Sequence, residues 1–137
     1  VTEQHPAVRH LIAAHAKAEE VARLAADDDG PEWEDEGSAV YQKGTNNPIV
    51  VGPWTGYLPD GERQHIALHD PASVLRRVAA ERRILAEHAD DGTGDCTRCA
   101  RESEERAGLG YFHEPLPWPC PTVLGLAAAW GWEADHA

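Results

Sequence analysis

The chain has no methionine, a single phenylalanine and almost no lysine: Lys17 and Lys43 are the only two in 137 residues. Its 12 Lys and Arg side chains stand against 24 Asp and Glu, for a formal net charge of −12. Such a surface repels a phosphate backbone, whose recognition needs clustered cations, so direct nucleic-acid binding is not expected. Two uses of the acidity remain. It can keep the protein soluble, or it can face a basic partner. Long apolar runs are missing too: none approaches the roughly 20 residues that cross a bilayer as a helix. The start, VTEQHPAVRHL, lacks the basic lead and apolar centre of a secretory signal, which points to the cytoplasm. Val at position 1 points to a processed or trimmed start, or to a start codon other than that for methionine.

Phosphate-cradling and nucleophile motifs are equally absent. No G-x-x-x-x-G-K-[ST] or G-x-G-x-x-G occurs, and Ser38, Ser73 and Ser103 lie outside any G-x-S-x-G context. The carboxylates from Glu32 to Glu36 read as a solvated acidic face.

What is present is a helical pattern interrupted by turn signals. Ala7, Leu11, Ala14, Ala18, Val21 and Ala25 alternate steps of four and three, which predicts one apolar stripe on an N-terminal helix ending near Gly30 and Pro31. SAVYQKGTNNPIVVG, within 38–52, predicts a β-hairpin turning through Gly44 to Pro48. A central helical region spans 64–90, with a short turn over Gln64 to His69 before Asp70 as N-cap and Pro71 as first helical residue. Its buried face is Leu75, Val78 and Leu85 with Val74 and Ala86. Arg76, Arg77, Glu81 and Arg83 fall on the other side. After Cys99, the Glu102 and Arg106 pair predicts a short polar helix capped at Gly108. Prolines at 115, 117, 119 and 121 force extended backbone. A last short helix follows, with Val123, Leu124, Ala127 and Trp130 near one face.

The three cysteines carry the most chemistry. Cys96 and Cys99 form C-x-x-C, and Cys120 stands apart. An odd thiol count argues against disulfides as the main account. A redox C-x-x-C usually follows a strand and opens a helix, and no strand is expected before Cys96. Haem attachment needs His after the second Cys, and position 100 is Ala. Structural zinc fits better, because a Cys3His set fills a tetrahedral site. His88, at the end of the central helix, completes the order His88, Cys96, Cys99, Cys120, with Cys96 and Cys99 as a zinc knuckle. His113 is the rival fourth ligand; Asp95 and His136 are weaker ones. Four protein ligands leave no open position, which favours a structural Zn²⁺ over a catalytic one.

A second cluster, HIALHD, sets His65 and His69 at i, i+4 beside Asp70. The metalloprotease helix shares that spacing but needs Glu after its first His, where this chain has Ile66. A helix start is the simpler account. The five tryptophans, Trp33, Trp54, Trp118, Trp130 and Trp132, suit core filling around a small hairpin.

HIALHDPASVLRRVAAERRILAEH, the C-x-x-C and PCPTVLGLAAAWGWEADH together resemble a family of small uncharacterised actinobacterial proteins, found in streptomycetes and their phages. The resemblance rests on His65 to Arg76, Cys120 to Ala127 and Ala134 to His136, and it implies a fold group without a reaction. The expectation is therefore one small α+β domain over 1–137, mostly helical, with one β-hairpin and a zinc-stapled segment over 91–137. Its expected role is to bind a protein partner through its acidic surface or Trp-rich loops. A thiol redox protein or enzyme using the C-x-x-C and the His65, His69, Asp70 cluster is the alternative, and an acidic mimic of nucleic acid is a third.

Overall fold

The computed structural model describes residues 4–52, 56–104 and 111–134. The architecture is α+β. Its elements run α1 (Pro6–Asp29), β1 (Trp33–Asp35), β2 (Val40–Gln42), β3 (Pro48–Val50), α2 (Asp60–Leu68), α3 (Pro71–Glu87), β4 (Asp95–Glu104), β5 (Tyr111–Pro117) and α4 (Pro121–Ala129). The backbone groups into two units, Ala16–Ala79 and Val1–His15 with Ala80–Ala137, so α1 and α3 each contribute to both.

In the unit Ala16–Ala79 the expected hairpin gains a strand. β2 pairs antiparallel with β3 as the turn signals required, and β1 pairs on its other edge, Trp33 opposite Gln42 and Asp35 opposite Val40. The acidic stretch Glu32 to Glu36 is solvated at Glu32 and Glu36 and half-buried between them, and three of its carboxylates take partners. Asp35 pairs with the guanidinium of Arg63, Glu32 with Lys43 at 3.1 Å, and Glu34 accepts the Gly44 amide at 2.8 Å. Arg63 is 5% exposed on α2, and it also bonds Asp60 and the Leu58 carbonyl. A buried guanidinium persists because every edge of its fork finds an oxygen. The central helical region is two helices. Asp70 ends the first and begins the second: its Oδ1 accepts the Ser73 amide at 2.7 Å, and its Oδ2 accepts the Trp33 amide at 3.2 Å. Val40, Ala39 and Val78 fill the interior.

In the unit built from the two chain ends, Ala7, Val8 and Leu11 of α1 are buried, with Val123 and Ala127 of α4. Leu85, Leu124, Trp118 and Trp130 pack around them. The α1 stripe departs from expectation at two places. His15 is buried and Val21 is half exposed, its place taken by Ala22. The 3.6-residue period drifts past a strict 4-3 alternation, so the buried line has left Val21 two heptads, about four turns, after Ala7. On α3, Ala86 is exposed and Glu81 turns inward.

The larger correction concerns the stretch after Cys99. No polar helix forms there among the described residues; β4 runs to Glu104 and pairs with β5, Glu102 opposite His113 and Glu104 opposite Tyr111. Gly108 and Arg106 lie outside the described residues. An i, i+4 charge pair is worth only a few tenths of a kcal/mol. A strand partner fixed by the proline arm outweighs it. Amides alternate sides along a strand, so Pro115 and Pro117, two apart, empty only one edge.

Candidate metal centre

The centre gathers three chain segments: the end of α3, the knuckle within β4 and the start of α4. The Ile84 carbonyl accepts the His88 amide at 3.0 Å, so the backbone is still helical as the imidazole leaves the last turn of α3. The chain then reverses. Asp90 Oδ1 accepts the amides of Gly92 and Gly94, while Asp91 Oδ1 accepts those of Thr93 and Asp95. Gly94 has φ +97°, a conformation that a side chain resists. Hydrogen bonding to the Thr93 hydroxyl and amide holds the Asp91 carboxyl below its usual range.

The knuckle is a gap in the β ladder. Asp95 pairs with Pro117 and Ala100 with Pro115, so residues 96 to 99 oppose position 116 alone. Four residues against one must bow out of the sheet, as in an enlarged bulge. The Thr97 amide donates to the Ala89 carbonyl at 2.9 Å and its hydroxyl to the Glu87 carbonyl at 2.9 Å, which moors the bow to the end of α3. On the other side the Trp118 amide donates to the Gly94 carbonyl at 2.9 Å and its indole N–H to the His88 carbonyl at 2.7 Å. Cys120 is the N-cap residue of α4, with Pro121 at the first helical position.

These segments bring four donors together. His88 Nδ1 lies 3.5 Å from the Cys96 sulfur, 3.4 Å from Cys99 and 3.4 Å from Cys120. All four donor atoms lie within 4.8 Å of one another. One ring nitrogen offers a single N–H or a single lone pair, so hydrogen bonding cannot explain three near-equal contacts. Convergence on a shared cation can: for metal–sulfur bonds of about 2.3 Å and a metal–nitrogen bond of about 2.0 Å, the tetrahedral sulfur–nitrogen edge is about 3.5 Å. The set can hold one metal ion with all four positions filled from the protein.

The thiols perturb one another. Burial pushes the Cys99 thiol up to about 11, and the neighbouring Cys120 and Cys96 sulfurs add to the rise. Cys120 moves in the opposite direction. Burial resists ionisation there, but the Val123 amide at the start of α4 and the two neighbouring thiols hold it below the usual thiol value. Neighbouring thiolates repel, and a cation reverses that penalty.

The other candidates are placed as follows. Asp95 opens β4 and is not in the cluster. The His113 side chain and His136 lie outside the described residues, as does Trp54. His65 and His69 are exposed on one face with ring centroids 4.5 Å apart, while Asp70 is buried and occupied with Ser73 and Trp33. Among the described residues, the donors gathered closely enough to hold a metal are those of His88, Cys96, Cys99 and Cys120. The C-x-x-C stands within a strand pair, and the thiol at a helix N-terminus is Cys120. That inverts the usual redox arrangement.

One polar cluster escaped the sequence reading. His15, 1% exposed, meets Glu81 at 2.8 Å, and the Trp130 indole N–H donates to the same carboxylate oxygen. The His15 and Trp130 rings meet edge to face at 5.4 Å. The available signal was position: His15 follows Leu11 by four and Glu81 follows Val78 by three, each continuing a buried row.

No curated protein and no solved structure matches the chain. A family model does, over residues 5–136, nearly the whole length. The chain belongs to that family, the family of unknown function DUF6221.

Proposed function

We propose that this protein is a small protein-binding module whose C-terminal part is stapled by one structural zinc ion, held by His88, Cys96, Cys99 and Cys120. The near-equal spacing of three sulfurs around one imidazole nitrogen carries the reading. Zinc suits a set of three thiolates and one imidazole in a tetrahedral array, and four protein ligands favour a structural over a catalytic ion. The ion would join the end of α3, the knuckle and the start of α4. The sulfurs of Cys96 and Cys120 already belong to the buried cluster with Val8 and Val123. A small domain with a modest core gains most from such a staple.

The partner side rests on charge. At −12, the surface favours a basic protein and disfavours nucleic acid. Two measurements test the two halves. Thermal unfolding with and without a strong chelator should show a large loss of stability on metal removal; an unchanged midpoint contradicts the staple. Immobilised chain should retain a basic protein at low salt and release it at high salt; no salt-sensitive partner contradicts the binding role.

A further inference from the structure

Resting on the four-ligand reading, we propose that Cys99 is the oxidation point of the centre: a hydroperoxide attacked by its sulfur closes a Cys96–Cys99 disulfide and releases the ion. The three sulfurs differ in access. Cys96 is 5% exposed and Cys120 is 0% exposed, whereas Cys99 is only partly buried. Thr97 and Arg98, the two residues between the knuckle cysteines, are both exposed, so the bow opens to solvent on the Cys99 side. Oxidation of a thiolate follows its exposure and ionisation, and zinc coordination keeps the sulfur ionised. Cys96 is the resolving partner because only two residues separate it from Cys99, and all the donor atoms lie within 4.8 Å.

The chemistry balances. The Cys99 thiolate attacks the terminal peroxide oxygen, the O–O bond breaks, and hydroxide (from hydrogen peroxide) or an alkoxide (from an organic hydroperoxide) leaves, giving a sulfenic acid. The Cys96 thiolate then attacks that sulfur, the S–O bond breaks, and hydroxide leaves. Two thiolates lose two electrons in all, and the peroxide is reduced by two. Only Cys120 and His88 remain to hold the ion, and two ligands do not fill a tetrahedral site. The buried cluster around Val8 and Val123 then loses its staple. A thiol reductant reverses the step.

The test treats the zinc-loaded full chain with limiting hydrogen peroxide. Freed zinc is followed with a chromophoric chelator, and each cysteine by differential alkylation and peptide mapping. The expected result is one zinc ion lost per disulfide formed, Cys99 losing its alkylatable thiol first, and a Cys96–Cys99 crosslink that reductant removes. A zinc-loaded chain that keeps metal and thiols under peroxide overturns the inference while leaving the staple intact. So does a chain that oxidises first at Cys120. A chain that binds no zinc overturns both. The Cys99→His variant keeps four donors with one sulfur fewer and should retain its zinc under the same peroxide. Release at the wild-type rate contradicts the role of Cys99. If that variant does not load zinc, the wild-type crosslink map decides.

Discussion

At the scale of single residues, the polar side chains that matter most are those holding two things at once. Asp70 caps α3 and fastens the β1 backbone through its two oxygens. Burial works to raise its pKa, but the Ser73 hydroxyl and the Ser73 and Trp33 amides hold it below the ordinary 3.8. Because the folded value is depressed, the stabilisation is full above 3.8 and is lost as pH falls through the lower folded value. Asp70→Ala should cost about 1–2 kcal/mol in urea unfolding at neutral pH. The difference from wild type should shrink in strong acid. Glu81 is the second such residue. Glu81→Ala removes a shared acceptor from His15 and Trp130 and should cost about 1–3 kcal/mol, with Glu81→Gln recovering part of it. Asp70 was legible in the sequence because D-P at a helix start has a local cause. Glu81 was not, because its partners lie 66 and 49 positions away and no local pattern announces them.

At the scale of elements, the long helices and the β2–β3 hairpin were legible, whereas β1 and β4 were not. α4 and its buried Val123 and Ala127 could be read from spacing alone. β1 is three residues long, too short for any alternation to register, and β4 owes its conformation to a partner strand that arrives later in the chain. Glycine requirements are the sharper local constraint. A Cβ on Gly52 would sit 1.8 Å from the Tyr57 carbonyl oxygen, a backbone obstacle that no side-chain rotation relieves. At Gly30, φ +76° is the strained region, but the atom in the way is the end of the Gln42 side chain, at 2.7 Å. Gly30→Ala should therefore cost roughly 1–2 kcal/mol, mostly backbone strain. Gly52→Ala should lower the thermal midpoint further than Gly30→Ala when both are measured side by side.

At the scale of the whole molecule, the α+β class and a cluster able to hold a metal were both legible in the sequence. An odd cysteine and a knuckle spacing implied a fourth donor, and His88 was placed by its position at the end of a helix. The bow in the ladder that presents Cys96 and Cys99 could not be read, because it depends on where β5 pairs. The central claim is that these four donors converge on one ion, and cobalt titration of the metal-free chain tests it most directly. Co²⁺ takes the place of zinc and reports its ligands by colour. The account predicts saturation at one ion per chain, with intense tetrahedral bands and thiolate charge-transfer absorption. That absorption should weaken in Cys96→Ser, Cys99→Ser and Cys120→Ser, and persist with shifted bands in His88→Cys. A pale octahedral spectrum, or a spectrum that survives unchanged in any of the three Cys→Ser variants, would contradict it.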